Sequence, residues 1–225
     1  MPIYNAPLLK IDAAETRRYA GMRNTAEFDD EMIESICEEA RLLLTVKGIW
    51  QIYDYDCEKN LVLSSPKFKI EGESIEKHLQ GCEKAVCMAV TVGDRIEQEV
   101  TAEFKKGGYV CSMILDAAAT CAVEQAADAM EKVIAQEVSK EGYKTIWRYS
   151  PGYGDWPLHE QRDFFKITGA KEIGMHLSPM LMLMPRKSIT AIIGLKKISA
   201  DEKNSIPEKN SCATCDKTDC EARKI

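Results

Sequence analysis

"YVCSMILDAAATCAVEQAADAMEKVIAQEVSKEG", residues 109–142, is the longest stretch of the chain with one continuous helical character, and its reading decides the fold. It lacks proline, is rich in alanine, and predicts a single helix over roughly 109–141 with Gly142 as its stop. The alanine-rich face lets another element approach closely, so the helix belongs against a sheet or a second helix. Upstream, "KAVCMAVTVG" (84–93) has the continuous apolar run of a buried strand, and "DRIEQEVTAEFKKGG" (94–108) reads as a helix ended by a glycine pair.

Further out, residues 29–46 carry Ile33, Ile36, Cys37, Ala40, Leu43 and Leu44 at helical spacing behind an acidic first turn. "GIWQIYDYD" (48–56) and the weaker "NLVLSS" (60–65) read as strands, and "GESIEKHLQGC" (72–82) as a short helix. Downstream, "YKTIWRYS" (143–150) returns to strand composition, and "PLHEQRDFFKITG" (157–169) opens a helix on Pro157. "MLMLM" and "SITAIIGL" flank "PRK" (185–187) and predict a hairpin. The order αββαβααβαββ is neither βαβ alternation nor all-α. It predicts an α+β fold with a mainly antiparallel sheet.

The 225 residues suffice for one sizeable core, expected over residues 1–199. Residues 200–225 are polar, without apolar periodicity, and read as a tail. A net charge of −6 removes the basic footprint that nucleic acid requires. No apolar run reaches a membrane span and no secretory signal is visible, so a cytoplasmic protein is expected. Nine cysteines in that setting argue for reduced thiols, six of them scattered among apolar neighbours as small hydrophobes.

The chemistry concentrates in "RYSPGYGDWP", residues 148–157. Gly152 and Gly154 permit positive φ, Pro151 fixes one φ, and Arg148 offers a planar fork that grips a carboxylate. Tyr153 adds a face for an aromatic ring or a cation. An ordinary glycine-rich turn carries the same residue types, so turn and ligand cradle both remain open on these grounds. GxGxxG and GxxxxGK[ST] spacings are absent, which disfavours a Rossmann or P-loop phosphate site, and no Gly-x-Ser-x-Gly elbow is present.

"RYSPGY" followed by "WPLHEQ" and a helix resembles the activation domain of cobalamin-dependent methionine synthase. Arg148, Gly152 and Tyr153 fill its Arg-x-x-x-Gly-Tyr signature, and Pro157 and His159 its Pro-x-His. The N-terminal part looks like that of stand-alone relatives. The resemblance implies binding of S-adenosylmethionine, whose methyl group reactivates an oxidised Co(II) corrinoid (cobalamin). That corrinoid would be presented in trans by a methyltransferase, with flavodoxin or ferredoxin as electron donor. A non-catalytic adaptor or chaperone of a corrinoid protein is the alternative. Carried over, Arg148 pairs with the methionine carboxylate, residues 149–152, Ser150 among them, bond through the backbone, and Tyr153 lines the pocket. Asp128, with Glu124 one turn earlier as competitor, would take the amino group. The chain departs from the family at Gly154-Asp155-Trp156, and has Ile189 where the family has a ligand-contacting tyrosine. The first departure is expected to shape the partner-facing surface.

Cys212, Cys215 and Cys220 form C-x2-C-x4-C, the first part of a zinc or iron–sulfur site, with no histidine nearby to complete it. A metal-free or redox-sensitive tail fits the same pattern. His159, in the first turn of a helix, is read as a surface hydrogen-bonding residue, and neither it nor His176 supports a catalytic triad.

Overall fold

The computed structural model describes residues 3–22 and 29–198. Its elements are β1 (Ile3–Tyr4), α1 (Ala13–Tyr19), α2 (Asp30–Leu43), β2 (Lys47–Asp56), β3 (Leu61–Val62) and β4 (Phe68–Lys69). Then come α3 (Glu73–His78), β5 (Lys84–Thr91), α4 (Arg95–Lys105), α5 (Tyr109–Ser139) and β6 (Tyr143–Thr145). A 3-10 turn (Leu158–Glu160) leads into α6 (Gln161–Thr168), and another (Ala170–Ile173) precedes β7 (His176–Leu177), β8 (Leu183–Met184) and β9 (Ser188–Lys197).

The seven-stranded sheet runs β4-β3-β2-β5-β9-β6, with β1 on the outer edge of β2, and every pairing is antiparallel. This is the α+β architecture read from the element order. β5 is central, pairing with β2 from Lys84↔Asp54 to Thr91↔Lys47 and with β9 from Lys84↔Leu195 to Thr91↔Ser188. Covered on both faces, it is buried from Ala85 to Thr91, which explains its unbroken apolar run.

Alternation along the strands splits the core in two. Val86, Met88 and Val90 of β5, with Ala191, Ile193 and Leu195 of β9, face a layer built from α1, α2 and α5. The alanine-rich side of α5 fulfils its expectation: Ala118, Ala119, Ala122 and Ala126 are fully buried there. On the opposite face Ala85, Cys87 and Ile192 pack with Trp156 and Phe164. Capping follows the sequence. Asp12 and Asp29 accept from the amides of Glu15 and Glu31 at the starts of α1 and α2. Gly142, at φ +83°, follows the last turn of α5.

One expectation is overturned. Residues 183–184 do not form a hairpin with β9 across "PRK"; β8 pairs instead with β7, His176↔Met184 and Leu177↔Leu183, as a separate ribbon. Leu177 and Leu183 pack on a third core cluster around Phe165 and Met175, so their burial is met without extending the main sheet. Cys37, Cys82, Cys87 and Cys121 are buried, and all six cysteines among the described residues are free thiols. Burial pushes Cys82 and Cys121 up to about 11, as expected of thiols used as hydrophobes.

Candidate functional site

Beyond β6 the chain continues along the outer edge of β9. Ile146 donates to the Gly194 carbonyl, and Tyr149 and Ile192 exchange both backbone hydrogen bonds. This edge pairing fixes Arg148 opposite α5. Its guanidinium spans three carboxylates: Nη2 lies 2.6 Å from Glu124 Oε2, and Nη1 lies 2.7 Å from Asp128 Oδ1 and 3.0 Å from Glu131 Oε2. Positions 124, 128 and 131 fall on one helical face, so regular α5 geometry alone aligns the acids. Burial would lower the Arg148 pKa, but the charges of Glu131, Asp128 and Glu124 more than reverse this and raise it. The arginine is therefore a permanent cation. Asp128 and Glu124, weighed as alternatives in the sequence, both hold Arg148. Glu131 was not singled out, although its i+3 spacing from Asp128 was a readable signal.

Residues 150–156 form a tight turn. Gly152 donates to the Trp156 carbonyl at 2.9 Å, Tyr153 to Ser150 at 3.2 Å, and Trp156 to Tyr153 at 3.0 Å. Gly152 has φ +91° and Gly154 φ +54°, and a Cβ on Gly154 would collide with the Tyr149 hydroxyl. With the Tyr149 and Gly152 amides committed internally, the Ser150 amide is the N–H of residues 149–152 without an intrachain acceptor among the described residues. Tyr153 projects into solvent, 66% exposed.

In the family-divergent Gly154-Asp155-Trp156 segment, Gly154 and Asp155 are exposed and Trp156 turns into the core. Trp156 is 1% exposed and stacks edge-on with Phe164, centroids 5.3 Å apart. Its Nε1 donates to Glu160 Oε2 at 2.6 Å. Asp155 reaches across to cap α3, accepting from the Ser74 amide at 3.0 Å. Partial desolvation opposes it, but bonds from the Ser74 amide and hydroxyl hold the Asp155 carboxyl below its ordinary value.

Beside this loop, His78 stacks on Trp147 at 4.0 Å and places Nε2 2.8 Å from the Trp147 carbonyl. Burial lowers the His78 pKa below its ordinary 6.5, Lys196 adds to the lowering, and the bond to Trp147 opposes it in part. A histidine depressed in the folded state contributes stability above its unfolded pKa that is lost as pH falls through the folded value. We therefore expect the urea midpoint to drop from roughly pH 7 toward pH 5, and His78→Gln to flatten this limb. An identical acid limb in the variant would remove His78 from the account. The tail cysteines Cys212, Cys215 and Cys220 lie outside the described residues.

A family model described as "Vitamin B12 dependent methionine synthase, activation domain" matches residues 73–201, more than half of the chain. A search of curated proteins finds no match. Among solved structures, the chain is similar to the "Crystal Structure of the MetH Reactivation Domain bound to AdoHcy". The TM-score is 0.56 over 92% of this chain and 81% of that one. At 13% identity this likeness speaks for the fold. The family match runs from α3 to the end of β9 and contains Arg148, its three carboxylates and the Ser150–Tyr153 turn. The chain belongs to the family of activation domains of vitamin B12 dependent methionine synthase.

Proposed function

We propose that the chain binds S-adenosylmethionine at Arg148, Asp128, Ser150 and Tyr153, and so supports reductive methylation of a Co(II) corrinoid held in trans by a partner methyltransferase. The observation that carries this reading is the Arg148–Asp128 pair at 2.7 Å, within the family-matched stretch and beside an exposed tyrosine. An amino-acid head group is a zwitterion. Entering between the two side chains, its carboxylate would take over the Arg148 fork and its ammonium would take over Asp128. The Arg148–Asp128 pair is exchanged for two pairs with the ligand, while Glu124 and Glu131 stay beside the guanidinium. The bound AdoHcy of the structural neighbour, the demethylated counterpart of S-adenosylmethionine, has the same head group and supports this reading.

A partner corrinoid, reduced by one electron from flavodoxin or ferredoxin, supplies the nucleophile, and the sulfonium supplies the leaving group. The chain's residues then have one task, to hold the methyl donor in place, and no side-chain acid or base is needed. Arg148 anchors the head group, the Ser150 amide stands ready as a donor, and Tyr153 offers its ring to the adenine or the sulfonium. A cytoplasmic setting, where the thiols stay reduced, goes with this reading.

Calorimetric titration of S-adenosylmethionine into the full chain tests it. One saturable site is expected, weakened roughly five-fold by Tyr153→Ala, about 1 kcal/mol. Because Tyr153 is exposed, the urea midpoint should not move. No heat at millimolar ligand would favour the adaptor reading, and an unchanged affinity would remove Tyr153 from the site.

A further inference from the structure

A second group of donors lies outside the Arg148 site. Glu71, in the turn between β4 and α3, meets His159 and Glu160 of the 3-10 turn ahead of α6, with one donor atom from each within 4.8 Å of the others. They line a cavity of about 440 Å³ whose wall also carries Lys67, Lys69 and Asp163. Glu160 is the unusual member. It is 7% exposed, and Oε2 accepts from Trp156 while Oε1 is buried with no hydrogen-bond partner. An unsatisfied buried carboxylate oxygen costs about 1–3 kcal/mol or more, so one at the wall of a cavity calls for a partner.

We propose that Glu71, His159 and Glu160 bind a divalent transition-metal ion. One imidazole and two carboxylates form an N/O donor set that suits Zn²⁺, Mn²⁺ or Co²⁺, with ligand bonds of about 2.0–2.2 Å. Glu71 and His159 are exposed, while Glu160 is held by Trp156. The ion satisfies Glu160 Oε1, and the two carboxylates balance its charge. Burial and the neighbouring Glu71 carboxylate raise the Glu160 pKa, while Trp156, the Glu71 amide and His159 counter them in part; a bound cation removes the penalty on the charged form. Lys67 and Lys69 line the same cavity. Through Glu160 and Trp156 the ion clasps the turn holding Ser150 and Tyr153 to the β4–α3 segment.

The test uses Co²⁺ and the full chain carrying Cys212→Ser, Cys215→Ser and Cys220→Ser, which takes the tail thiols out of competition. We expect one Co²⁺ per chain with weak visible d–d bands and no near-ultraviolet thiolate absorption. Glu160→Gln, close in shape, and His159→Ala, at an exposed position, should each weaken binding at least ten-fold with unchanged circular dichroism. No saturable binding at millimolar Co²⁺ overturns the proposal. So does a thiolate band, or an affinity unchanged in His159→Ala, a variant whose folding is not at issue. None of these outcomes depends on S-adenosylmethionine.

Discussion

Replacing Arg148 by alanine is expected to lower folding stability by about 3 kcal/mol and to remove the head-group site in the same step. The side chain is 18% exposed, and the three acids around it are 14–35% exposed. Deleting one partner of a buried charge cluster typically costs about 3–5 kcal/mol, because the remaining charges are stranded rather than because the pair was strong. Partial solvation of Glu124 and Asp128 puts the value at the lower end. The mechanism has its own check. If stranded carboxylates cause the loss, adding Glu131→Gln to Arg148→Ala should restore part of it, giving a non-additive double-mutant cycle by urea denaturation. Strict additivity would mean that Arg148 acts through packing alone. Since the alanine variant confounds stability with binding, Arg148→Lys separates them: the cation stays, the two-pronged fork is lost, and ligand affinity should fall while the fold persists.

Trp156→Ala should be as damaging, about 3–5 kcal/mol. The indole is fully enclosed, packs against Phe164 at 5.3 Å and Tyr149 at 6.2 Å, and is the donor to Glu160 Oε2. Truncation opens a large cavity and removes the indole donor from Glu160 Oε2. Trp156→Phe distinguishes the two contributions, since it keeps most of the volume and loses the donor, for about 1–3 kcal/mol. Both can be read from urea denaturation. If phenylalanine and alanine cost the same, the hydrogen bond and not the packing holds the loop.

The large elements were legible in the sequence because their burial repeats over many residues. α5 and β5 carry long, unambiguous patterns, and the α+β architecture follows from their order. Of the two-residue strands, β3 was legible in "NLVLSS" while β1, β4 and β7 were not. "MLMLM" alternates as a strand should, but alternation cannot choose between pairing with β9 and pairing with β7. At the site, Arg148, Asp128 and Glu124 were recognised, but as separate ligand contacts. Their mutual pairing depends on the edge strand that sets residue 148 against α5, twenty or more positions away. Trp156 looked like surface divergence and is core, and Asp155 caps a helix 81 residues upstream in sequence. Glu160 resembles any solvated glutamate in a first helical turn; only the fold buries it beneath Trp156.

The central claim is that the Arg148–Asp128 pair opens to receive a zwitterionic head group. Comparing AdoHcy with 5′-methylthioadenosine, which keeps the adenosine and lacks the amino acid, tests this by calorimetry on the unmodified chain. Two exchanged charge-assisted contacts, each of about 1.5 kcal/mol or more, predict AdoHcy binding at least roughly a hundred-fold tighter. Equal affinities for the two compounds would contradict the account.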